Sequence, residues 1–113
     1  MKQTFGQTLK GLRQGKNLSQ RELAQKAGVD FTYISKLEND RLPPPAADTV
    51  IRFAEILETP EEILLAPAGK MNSDLKDIIT NNPEAVKFLN EVKGMGLTSE
   101  EWGLLTKKLK KLR

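Results

Sequence analysis

The chain of 113 residues contains neither cysteine nor histidine. The first absence excludes disulfides, thiolate metal sites and a cysteine nucleophile; the second excludes imidazole ligands, an imidazole general base and a Ser-His-Asp triad. Most mechanisms open to a small enzyme go with them, and no cofactor is expected. No apolar run is longer than a few residues, and no basic–apolar–cleavage pattern opens the chain. Neither a membrane-spanning nor a secreted product is therefore expected. Sustained apolar/polar alternation is missing too, which argues against strands. What remains is ordinary for a globular chain, 38% hydrophobic and 29% charged. The length suits one domain, or a small domain with an appendage.

The net charge of +3 is small, but it is unevenly placed. Residues 1–41 carry a balance of +4, residues 42–69 of −4, and residues 70–113 of +3. A basic first third followed by an acidic middle fits a chain that turns one face to a polyanion. Fluctuations of this size also occur on any small domain, so charge alone does not choose the partner.

Apolar residues recur at helical spacing throughout, so the expected class is all-α. Phe5, Leu9 and Leu12 mark a helix over about 3–15, ended by Gly15 to Asn17. Ser19 and Glu22 form a capping box before Leu23, Ala24 and Ala27, with Gly28 at the left-handed C-terminal position. Asp30 is a ready N-cap for a third helix with Ile34 and Leu37 inside. Asn39-Asp40 and then Pro43-Pro44-Pro45 stop it, since each proline removes an N–H donor. A fourth helix, about Ala47 to Leu57, buries Val50, Ile51, Ala54 and Leu57. Thr59 as N-cap, Pro60 as first helical residue and Glu62 as capping carboxylate start a fifth, which Ala66-Pro67-Ala68-Gly69 ends. That stretch is the expected boundary between residues 1–69 and 70–113. Three helical segments follow: Ser73 to Thr80, Pro83 to about Lys93 behind Asn82 as N-cap, and Thr98 to Leu112 behind the Thr98/Glu101 box.

Two short helices, Ser19–Ala27 and Asp30–Glu38, joined by a glycine-containing turn have the form of a helix-turn-helix. The run Leu18-Ser19-Gln20-Arg21-Glu22-Leu23-Ala24-Gln25-Lys26-Ala27-Gly28-Val29, followed by Tyr33-Ile34-Ser35-Lys36-Leu37-Glu38-Asn39, resembles the lambda-repressor/Cro-like (XRE) family. The resemblance covers about residues 5–66 and implies that family's five-helix DNA-binding domain, here followed by two to three further helices.

The resemblance implies base reading by Phe31, Thr32, Ser35 and Lys36, and contacts to the DNA backbone by Gln20, Arg21, Tyr33, Asn39 and Arg41. The chemistry agrees with it. Lys36 can donate to guanine O6 and N7, Thr32 can bond a base edge, and Thr32 or Phe31 can press on a thymine methyl. A glutamine at a helix N-terminus lies among free N–H groups that attract phosphate. Phe31 reads equally as a partly buried packing ring, and for Tyr33 a packed ring with its hydroxyl in water is the alternative to backbone contact. Many relatives have glycine where this chain has Asp40, whose carboxylate would repel phosphates if it faced them. Arg13 and Glu38 match a structural ion pair joining the first and third helices, and Arg52 reads as a solvated helix residue.

Beyond the resemblance, Val86, Phe88 and Leu89 on one segment and Trp102, Leu105, Leu109 and Leu112 on another form apolar stripes that need a partner surface. Phe88, Trp102, Leu105, Leu109 and Leu112 are the expected dimerisation residues, because most homo-oligomers are two-fold and operator half-sites lie ~34 Å apart. Packing against the chain's own core is the alternative. The basic terminus Lys107 to Arg113 suits the negative end of its helix dipole. Asp74 and Asp77 read as a solvated face rather than a Mg²⁺ site. The expectation is thus a dimeric repressor bound to double-stranded DNA, cytoplasmic and associated with the nucleoid, with no enzymatic activity. The alternative is an antitoxin or adaptor whose C-terminal helices hold a protein partner.

Overall fold

The computed structural model describes residues 3–113. Among the described residues there are eight α-helices and no strand: α1 Phe5–Gly15, α2 Gln20–Ala27, α3 Phe31–Glu38, α4 Ala47–Ile56, α5 Glu61–Ala68, α6 Ser73–Thr80, α7 Pro83–Val92 and α8 Ser99–Leu112. The chain divides into two compact units, one running to Ser73 and the other from Asp74 to Arg113. Residues 70–72 stay with the first unit: the Lys70 N–H returns to the Leu65 carbonyl, and the Asn72 amide donates to Glu61 at 2.8 Å.

The first unit is held by a core that every one of its helices enters. Leu9, Leu23, Ile34, Leu37, Val50, Phe53 and Leu64 are all but inaccessible to solvent. Each large apolar side chain removed from water in this way contributes about 1.5–3 kcal/mol. Phe53 escapes the reading of α4 that took Val50, Ile51, Ala54 and Leu57 as its inner face. It is fully buried, whereas Ile51 is only partly so.

Side-chain capping boxes form at three of the eight described helix N-termini. The Ser19/Glu22 and Thr98/Glu101 boxes both form, and so does a third box that spacing arguments overlooked, Thr4 with Gln7 at the start of α1. Gly28, at φ +71°, closes α2 in the left-handed region, where a Cβ would be strained. Asn17, Asp40 and Glu58 adopt the same conformation at the ends of α1, α3 and α4 without being glycine.

Three capping expectations are corrected. Thr59 does not cap α5: the helix starts at Glu61 with Pro60 in the cap position, and no side chain closes it. Pro67 lies inside α5, in the last turn. Asp30 and Asn82 hold the N-cap positions of α3 and α7 without a side-chain cap bond, and the Asn82 amide turns back to the Ile78 carbonyl instead.

The second unit is built differently. None of its residues in α6–α8 is buried. Phe88 and Trp102 meet edge to face, 6.5 Å between centroids. Beside them an open apolar cleft of about 290 Å³ is walled by Val92, Met95, Leu97, Leu104 and Leu105.

Candidate nucleic-acid interface

The relation of α2 to α3 is set by a buried polar cluster. Arg13 of α1 donates twice to Glu38 at the end of α3, Nε to Oε2 at 2.6 Å and Nη2 to Oε1 at 2.9 Å. Its third nitrogen reaches the Leu18 carbonyl at 2.8 Å. Both residues are buried, and among the described residues no buried side-chain polar atom lacks a partner. The bonds to Glu38 hold the guanidinium pKa above its ordinary value against the opposing effect of burial. Gln20, at the start of α2, donates its amide to the same Glu38 carboxylate at 2.9 Å. One amide proton of Gln20 is thereby committed inside the protein, and only the other can reach a phosphate.

Asp40 shows how the loop after α3 tolerates a carboxylate. At φ +57° it takes the left-handed position that closes α3. The Asp40 N–H bonds to the Leu37 carbonyl and the Arg41 N–H to the Lys36 carbonyl. Its side chain turns to the N-terminus of α1, accepting from Thr4 Oγ1 at 2.8 Å and from the Gly6 N–H at 3.2 Å. The negative charge thus meets the positive end of a helix dipole. Gly6 is the condition for this approach, since a Cβ there would collide with the Leu37 carbonyl and lie 2.5 Å from Asp40 Oδ1.

Three of the four acids in residues 1–41 are consequently engaged within the protein: Glu38 with Arg13, Asp40 with α1, and Glu22 in its capping box. The bond from the Ser19 N–H, with help from the Ser19 hydroxyl, holds the Glu22 pKa below its usual 4.5. Arg21, Lys36 and Arg41, by contrast, pair with no carboxylate among the described residues. The fold thus draws three carboxylates into internal contacts and leaves only Asp30, at the start of α3, without a side-chain bond, while Arg21, Lys36 and Arg41 form no ion pair among the described residues.

The side chains named from the sequence divide by position. Phe31, Thr32 and Lys36 are exposed along the outer side of α3, and Ser35 is half-buried. Tyr33 is half-buried and packs against the core. Asn39 is exposed, its amide donating to the Ser35 carbonyl at 2.8 Å, and Arg41 is exposed beyond it. Arg21 is exposed and lies over the Phe31 ring, its guanidinium carbon 4.5 Å from the centroid. Arg52 is exposed but not merely solvated, because it donates to the Ala27 carbonyl at 3.2 Å. The commitments of Gln20, Asp40 and Arg21 span helices and leave no spacing signal.

Comparison with known proteins identifies the family of the domain that carries these residues. Residues 9–64 match the helix-turn-helix family model. The repressor RghR of Bacillus subtilis (strain 168), described as an HTH-type transcriptional repressor, is 36% identical over 67 residues, 59% of this chain and 50% of that protein. The chain spans about half the length of the curated relatives it matches. The crystal structure of SinR, the master regulator for biofilm formation, in complex with DNA is 32% identical. It covers 55% of this chain and 98% of that one, with a TM-score of 0.52. A SinR/SinI complex covers 97% of this chain and all of the other at 24% identity and a TM-score of 0.54, a likeness of fold alone. The chain belongs to the XRE-type helix-turn-helix family of DNA-binding transcriptional regulators, with additional helices after the family domain. That family is one of regulators, not enzymes.

Proposed function

We propose that this chain is a sequence-specific repressor that reads a palindromic operator as a homodimer. In this reading α3 lies in the major groove, where Phe31, Thr32, Ser35 and Lys36 meet base edges. Gln20, Arg21, Tyr33, Asn39 and Arg41 fix its register on the sugar-phosphate backbone. The observation that carries the reading is the state of α3. Its inner side is locked by Ile34, Leu37 and Glu38, while Thr32 and Lys36 are exposed and Phe31, also exposed, carries the Arg21 guanidinium over its ring. The DNA complex of SinR, similar over this domain, supports the same use.

Residues 1–69 serve DNA in this proposal and residues 70–113 self-association. A unit that buries no residue in any of its helices is poorly stabilised alone, and a second copy offers the same apolar surface from Phe88, Trp102, Leu105, Leu109 and Leu112. A protein partner, as in an antitoxin or adaptor, would use the same exposed stripes. No described helix is long and apolar enough to cross a membrane, and a cytoplasmic, nucleoid-bound location follows from the proposed role.

Selection of bound sequences from random duplex DNA at stated salt tests the proposal. A palindromic consensus with half-sites about one helical turn apart is expected. Binding without sequence preference would refute specific reading. A single unrepeated half-site with a monomeric chain would favour the adaptor reading.

A further inference from the structure

Arg21 is the second residue of α2 and Phe31 the first of α3, so their contact joins the two helices of the motif at the end presented to DNA. Arginine in the first turn of a helix sits at the positive end of the dipole, where it is electrostatically misplaced. No carboxylate among the described residues compensates it. The ring does: the guanidinium lies over the Phe31 face at 4.5 Å, a cation–π contact. The contact engages the charge of the guanidinium and leaves its N–H donors available to other acceptors. The same contact covers one face of Phe31, which cannot then be laid on a thymine methyl.

We infer that Arg21 and Phe31 act as one reading unit. Phe31 is a positioning residue, and Arg21 donates through its fork to O6 and N7 of a guanine at the base pair facing the N-terminal end of α3. The inference rests on the proposed reading of DNA by α3, and it reassigns the tasks of two residues within it. Lysine at position 21 would keep the charge but lose the planar fork. Leucine at position 31 would keep apolar bulk but lose the π face, whereas tyrosine would keep the stack.

The test uses the full chain and a panel of duplexes derived from the selected site, each base pair replaced in turn at fixed salt. Wild type is expected to prefer guanine at one half-site position by about tenfold or more. Arg21→Lys and Phe31→Leu should each abolish that preference, Phe31→Tyr should retain it, and preferences that depend on Lys36 should survive in all three. Thermal unfolding of each variant checks that the fold is unchanged. A uniform loss of affinity across all duplexes in Arg21→Lys, or in Arg21→Gln with a salt slope shallower by about one, would overturn the inference in favour of a phosphate contact. A guanine preference that persists in Phe31→Leu would overturn the positioning role. If wild type and Lys36→Ala alike show no base preference, the parent reading fails, an outcome distinct from loss of the Arg21 position alone.

Discussion

Replacing Glu38 by alanine removes the acceptor of three buried or half-buried donors at once: Nε and Nη2 of Arg13 and the amide of Gln20. Arg13 is only 8% exposed, so its charge is left without a partner and largely without water. Removing one member of such a pair costs about 3–5 kcal/mol, mostly the penalty of the stranded charge. A domain of this size is stable by only about 4–11 kcal/mol, so the variant should lose about a quarter or more of its stability. Urea unfolding followed by circular dichroism should show a lower midpoint with an unchanged slope. The double variant Arg13→Met with Glu38→Leu supplies the decisive comparison. Apolar groups of similar volume need no partner, so the pair of changes should recover at least half of the single variant's loss. A Glu38→Ala loss below about 1 kcal/mol, in the range of an exposed pair, would refute the claim that the charge is stranded. Losses that simply add in the double variant would refute the coupling. The exposed Lys16–Glu58 pair, at 2.7 Å, is the control, and Lys16→Ala should leave the midpoint almost unmoved.

Two glycines of α1 should respond in opposite directions. Gly6→Ala drives a Cβ into the end of α3 and should cost about 1–2 kcal/mol net, whereas Gly11→Ala meets nothing within 4 Å and should gain about 0.8–1 kcal/mol. Thermal midpoints distinguish them, since 1 kcal/mol moves a domain of this size by about 4–8 °C. The Glu22 carboxylate, with its folded pKa lowered by the Ser19 bonds, contributes stability that is present above pH 4.5 and lost as pH falls through the folded value. Glu22→Gln preserves the capping acceptor without the titration, so its acid unfolding curve should be flatter below pH 4.5. Leu105→Asp or truncation after Ser73 should shift sedimentation from dimer to monomer and weaken operator binding while the first unit stays folded. An unchanged oligomeric state would remove dimerisation from residues 70–113.

What the sequence determined by itself is what acts within one helical turn. Capping boxes at Ser19/Glu22 and Thr98/Glu101 and the left-handed Gly28 need only residues three or four apart, and they delimit the helices and the helix-turn-helix they compose. The failures of local reading are themselves local. Thr59, Asp30 and Asn82 are cap-forming residue types next to helix starts, yet none makes a side-chain cap bond, and the Asn82 amide donates to the Ile78 carbonyl instead. Only the tertiary structure decided what each polar side chain is free to do. Arg13 and Glu38 are 25 residues apart, Gln20 and Glu38 are 18 apart, and Gly6 and Asp40 are 34 apart. No periodicity reports such pairs, because helix packing rather than chain spacing brings them within bonding distance; of the three, Arg13 with Glu38 is expected, and that from the family resemblance rather than from spacing. Those pairings, with the Glu22 capping box, leave a helix-turn-helix face on which Glu22, Glu38 and Asp40 are engaged within the protein while Arg21, Lys36 and Arg41 form no ion pair among the described residues.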